Sequence, residues 1–165
     1  MKKFNLCLML VALILSAFII SGCTNSSDDK EQNNSNETVA QTLANQFKDE
    51  IEKDKNLEDV ANNIAKNEII KISLDVVTVG KEDYLSGFKT EIKGFKNAVA
   101  IRPFIGTIPF IAYIFEVENA SDFAKNLTDN ADLRWNVCTS ADDLEVATSG
   151  DYVFIVMAPK NFDEE

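Results

Sequence analysis

Three thiols, 27 carboxylates, 16 cationic side chains and no imidazole are the reactive groups of this 165-residue chain. The missing histidine decides most. Imidazole is the commonest general acid–base group and metal ligand near neutral pH, so Ser–His and Cys–His nucleophile pairs are excluded. What remains is chemistry by carboxylates or by cysteine. Paired carboxylates can run glycoside hydrolysis, but among 27 acids coincidental pairs are unavoidable and none stands out. Asp142, Asp143 and Glu145 lack the alternating Asp/Asn ligands of a calcium loop and read as a solvated turn. Gly106-Thr107-Ile108-Pro109 has neither the spacing nor the lysine of a phosphate loop and also reads as a turn. No cofactor and no metal is expected.

The rarer side chains point to binding. Arg102 and Arg134 are the only arginines and Trp135 the only tryptophan. A guanidinium grips a carboxylate through two parallel hydrogen bonds, and an adjacent indole supplies an apolar face. Arg134, Trp135 and Asn136, with Arg102, therefore form the candidate site for an acidic ligand or peptide. The competing structural reading has Trp135 closing the core and Arg134 paired to a nearby acid. The net charge of −11 repels phosphate backbones, so nucleic acid is not an expected partner.

The three cysteines lie at positions 7, 23 and 138. Lys2 and Lys3 precede a mostly apolar stretch from Phe4 to Ile20, the layout of a signal peptide. Its 17 residues are at the lower limit for a spanning helix, so a signal anchor is the alternative. The stretch ends at Ile20-Ser21-Gly22-Cys23, which resembles the bacterial lipobox: an aliphatic residue, two small residues and a cysteine. That resemblance implies a diacylglyceryl thioether on Cys23 and cleavage just before it. Residues 1–22 are then a lipoprotein signal peptide, and the mature protein sits on the extracytoplasmic face of the cell membrane without spanning it. Residues 24–37, "TNSSDDKEQNNSNE", contain nothing that could bury a core and read as a flexible tether with a reach of about 20 Å. Once Cys7 is discarded and Cys23 acylated, Cys138 has no partner for a disulfide and reads as a small buried hydrophobe. A reactive Cys138 would need a neighbouring cation or helix N-terminus.

Any site must be positioned by the segment 38–165. Thr38-Val39-Ala40-Gln41 fits a capping box, with Val39, Leu43, Phe47 and Ile51 following at helical spacing. Asn56 caps a second helix whose stripe is Leu57, Val60, Ala61 and Ile64. Ile70, Ile72, Leu74 and Val76 alternate with polar residues as in a half-buried strand. Lys89 to Lys93 suggests a helical turn, and Ala98 to Ile101 a strand that Pro103 ends or pushes to an edge. Ile108 to Phe115 and Tyr152 to Ala158 are continuous apolar runs, which predict strands covered on both faces. Between them fall a helix from Ser121 to about Asp129 and a half-buried strand through Leu144, Val146 and Thr148. The order predicts one α+β domain, a mainly antiparallel sheet with helices packed on it. Two amphipathic helices hardly cover so much apolar sheet, and a face left open would mark a partner or homodimer surface.

"DYLSGFKTEIKGFK" (Asp83 to Lys96), "RPFIGTIPFIAYIFEVE" (Arg102 to Glu118), "LRWNVCTSADD" (Leu133 to Asp143) and "VFIVMAP" (Val153 to Pro159) resemble blocks from an uncharacterised family of bacterial surface lipoproteins. The resemblance implies the same compartment and a single domain, and no activity. The expected role is non-enzymatic binding or scaffolding at the cell envelope, through an envelope protein partner or a second copy. The rival is a small histidine-free envelope enzyme working through carboxylates or Cys138.

Overall fold

A computed structural model describes residues 37–162, so the signal segment, Cys23 and the tether up to residue 36 lie outside the described residues. The first helix, α1 (Val39–Lys53), opens on the capping box: the Gln41 amide donates to Thr38 Oγ1 and the Thr38 amide to Gln41 Oε1, both at 3.2 Å. The second, α2 (Leu57–Ala65), is capped by Asn56 Oδ1, which accepts from the amides of Glu58 and Asp59. Those two acids also sit at the positive end of the helix dipole. The stripes named above are buried, and both helices lie on one face of the sheet.

The sheet has five strands: β1 (Leu74–Val79), β2 (Phe95–Pro103), β3 (Ile111–Val117), β4 (Asp143–Ser149) and β5 (Tyr152–Ala158). Their order is β1-β2-β3-β5-β4, every neighbouring pair antiparallel. Because β5 lies between β3 and β4, the connection from β3 to β4 must cross the sheet. It does so through α3 (Ala120–Asn130), whose Phe123 and Leu127 are buried on the face opposite α1 and α2.

Beyond an irregularity between Phe95 and Asn97 of β2, side chains of the central strands alternate between the two faces. Val99, Ile101, Ala112, Ile114, Phe154 and Val156 pack under α1 and α2. Ala98, Ala100, Tyr113, Phe115, Val153 and Ile155 pack under α3 and the segments on either side of it. Such double coverage is why β3 and β5 read as unbroken apolar runs. Among the described residues no helix is long and apolar enough to cross a membrane.

Four local expectations are corrected. The strand foreseen from Ile70 begins at Leu74, because β2 ends at Pro103, the partner of Leu74; beyond it only Phe104 reaches back, its amide donating to Ser73 O. The strand foreseen from Ile108 runs instead from Ile111 to Val117. Lys89 to Lys93 is not helical: Phe88 bridges to Ala131, and the Lys89 amide donates to Asn130 O, so this segment lies against the end of α3. No face of the central strands is left open, since Leu85, Phe88 and Ile92 join α3 in covering the second one.

Gly87 makes that second covering layer possible. It has φ +93°, and a Cβ there would lie 2.4 Å from Met157 Cε and 3.3 Å from Ile111 Cγ2. Gly87→Ala is expected to cost about 1–3 kcal/mol, through a left-handed backbone that disfavours a side chain and the displacement of Met157. Urea unfolding checks this; a loss below about 0.5 kcal/mol would mean the loop can lift off the sheet.

Candidate functional site

The arginines and the tryptophan converge on one end of the sheet without forming a single pocket. That end is defined by the last residues in register, Leu74 against Pro103, Ile111 against Met157 and Asp143 against Ala158. Two connections project from it, 104–110 between β2 and β3, and 131–142 between α3 and β4.

Arg102 stands near the end of β2, opposite Asp75 of the edge strand β1. Its Nη2 lies 3.6 Å from Asp75 Oδ2, and both side chains are more than a third exposed. An exposed pair at this distance contributes little, and the guanidinium is not committed to it. Arg102 borders a cleft of about 300 Å³ lined by Val77, Val79, Tyr84, Ser86, Ala100 and Tyr113, among others. The cleft therefore combines one cation, Arg102, one anion, Asp83, and polar and apolar side chains side by side at the sheet edge. That composition suits a ligand bearing both polar and apolar groups.

Tyr113 forms the floor. Its hydroxyl donates to Ser86 O at 3.0 Å, and burial pushes the phenol well above its ordinary value of 10. An unfolded phenol loses its proton near pH 10 while the buried one keeps it, so stability falls as pH rises from about 10 toward the folded value. Tyr113→Phe is expected to cost about 0.5–1.5 kcal/mol at neutral pH and to weaken the alkaline loss of stability. Unfolding midpoints measured between neutral and strongly alkaline pH check it: equal alkaline slopes in the two proteins would contradict this account.

Arg134, Trp135 and Asn136 lie in the other connection, and each does something different. The Arg134 amide donates to Asp132 Oδ1 at 3.0 Å while its side chain is exposed, and among the described residues it makes no ion pair. Trp135 is half-buried against the second core, consistent with a role in closing that core. Asn136 Nδ2 donates to Gly106 O at 2.7 Å, and Thr139 Oγ1 donates to Thr107 O at 2.7 Å. These two bonds lace the 131–142 connection to the 104–110 connection. Arg134 does not line the cleft beside Arg102, and no hydrogen bond or ion pair joins the two arginines among the described residues.

The laced connections carry a feature the sequence did not disclose. Phe104, Ile105 and Val137 are 70 %, 65 % and 99 % exposed, three of the four large apolar side chains that stand out in solvent among the described residues. Cys138, expected to be buried, is exposed beside Val137. The connection is packed through Leu133, Trp135 and Ala141 and laced by hydrogen bonds to 104–110, while Val137 and Cys138 between them stand outside that packing. The acidic group serves the fold: Thr38 Oγ1 donates to Asp143 Oδ2, the Leu144 amide to Asp143 Oδ1, and the Val39 amide to Lys160 O. These contacts seat the start of α1 at the same end of the sheet.

No family model, curated protein or solved structure matches the chain. The functional reading therefore rests on its own residues.

Proposed function

We propose that the chain is a lipid-anchored extracytoplasmic protein with a non-enzymatic binding or scaffolding role at the cell envelope. The observation that carries this reading is Ile20-Ser21-Gly22-Cys23, placed between an apolar leader and a polar run that ends where α1 begins. A thiol at that point takes a diacylglyceryl group, and two acyl chains hold a protein on a membrane where one is marginal. The cleft beside Arg102 supports the binding half. Its guanidinium is paired only weakly, at 3.6 Å from Asp75, and lines the cleft with Asp83, Val77, Val79 and Tyr84, so polar and apolar groups are offered to one ligand.

Growth with radiolabelled palmitate tests the reading. Label is expected in the native chain and equally in Cys138→Ala, and protease added to intact cells is expected to remove the labelled band. A chain that stays unlabelled, or is labelled but protected from protease, contradicts it.

A further inference from the structure

We propose that the laced connections 104–110 and 131–142 form a tip that dips into the outer surface of the lipid bilayer. This rests on the lipid-anchored reading above and adds an orientation to it. Three observations carry it. Phe104, Ile105 and Val137 are exposed on two connections joined by the Asn136–Gly106 and Thr139–Thr107 hydrogen bonds. An apolar group presented this way, on loops pinned to each other, gains by entering the headgroup boundary and loses nothing by leaving the core.

The second observation is charge. The chain has 27 acidic residues, yet "FIGTIPF" (Phe104 to Phe110) carries no charge and "LRWNVCTSA" (Leu133 to Ala141) carries only Arg134. An acidic domain is repelled by an anionic bilayer except where acids are absent and a cation is present. The stretches 104–110 and 133–141 meet both conditions; the two acids of the 131–142 connection, Asp132 and Asp142, stand at its ends, where their amides donate to Gly87 O and Ala158 O. Trp135, half-buried at the root of the same connection, has the amphipathic ring favoured at the membrane interface.

The third is where the tether enters. The described residues begin at residue 37, 14 residues after Cys23. Thr38 is hydrogen-bonded to Asp143, and the Val39 amide to Lys160 O, at the sheet end that bears the tip. A linker of that length has a reach of about 20 Å. A lipid on Cys23 would raise the effective concentration of the whole domain, the tip included, at the membrane. Even weak insertion then becomes populated.

Cys138, adjacent to Val137, is the natural reporter. The mature lipidated protein, with an environment-sensitive fluorophore on its free thiol, is reconstituted in vesicles of phosphatidylethanolamine and phosphatidylglycerol in equal parts. The expected result is one fluorophore per chain, a blue-shifted emission, and about two-fold quenching by nitroxide-bearing lipids placed at the headgroup boundary. Phe104→Ser combined with Ile105→Ser is expected to abolish the quenching while the protein still floats with the vesicles. A chain that floats but whose fluorophore stays unquenched overturns the tip and leaves the anchor standing. A chain that takes a second fluorophore at Cys23 and does not float overturns both. Shielding seen only in native membranes, and not in protein-free lipid, assigns the tip to a protein partner or second copy and overturns the proposal.

Discussion

Phe154→Ala is expected to lower the unfolding free energy by about 3–5 kcal/mol. Phe154 is fully buried on β5, the strand between β3 and β4, and its ring stacks on Phe47 of α1 with centroids 5.2 Å apart and 15° between planes. Removing it leaves a cavity between the helix layer and the centre of the sheet, where neither side can collapse without breaking the ladder. A domain of this size has a total stability of about 5–15 kcal/mol, so the loss is a large share of it and lowers the melting temperature by more than 10 °C, on the order of 4 °C per kcal/mol. Phe47→Ala should cost a similar amount, and the double variant should show a coupling of about 0.5–1.5 kcal/mol from the stacked pair. Ile155→Ala is the control. It packs on the opposite face, so its effect should add to that of Phe47→Ala within about 0.5 kcal/mol. Denaturant unfolding with an unchanged slope checks all five variants, the Phe47→Ala/Ile155→Ala double included. A cost below about 1 kcal/mol at Phe154 would contradict the described packing.

Cys23→Ala is expected to carry no acyl label and to retain residues 1–22. On the proposed anchor the effect is all or none, because the modification would be a thioether on one sulfur with cleavage just before it. Each acyl methylene contributes about 0.8 kcal/mol of membrane affinity, so no contact made by the protein surface could substitute for the lost chains. Mass spectrometry of the membrane-extracted protein checks this. The native chain should begin at a lipid-modified Cys23, and the variant at Met1 without lipid. The fold should not respond: the first described contacts are those of Thr38 and Val39, so the melting temperature of the two proteins should agree. A variant still labelled by palmitate would place the lipid elsewhere and remove the basis of the anchor.

Much of the architecture is written in local sequence. The capping box at Thr38 and the Asn56 cap are closed by residues three apart or fewer, so their chemistry is complete in a short window. The two-faced burial of β3 and β5 follows from runs with no polar interruption, since a strand with one wet face would alternate. Elsewhere the local pattern misled. Ile70 and Ile72 continue the alternation of β1, but β2 stops at Pro103 and offers no partner there. The Lys89 to Lys93 segment has the composition of a helical turn, but it lies against the end of α3, about forty residues later in the chain. Arg102 could be recognised as rare; that it borders a cleft depends on the 84–86 segment folding over β1 and β2.

Beyond the missing imidazole chemistry, which the composition alone decides, the sequence determined what can be decided within one short window: the helix caps, the doubly covered strands, and a cysteine whose neighbours on both sides resemble a lipid attachment site. Each depends on residues adjacent in the chain or a turn apart. Only the tertiary structure decided that Val137 and Cys138 face solvent, that Arg134 and Arg102 serve different surfaces, and that two connections thirty residues apart share one end with the start of α1. Those outcomes depend on which strands pair and which loops are then brought together. The same hydrogen bonds join the two connections at the sheet end where α1 begins, with Phe104, Ile105 and Val137 exposed on them.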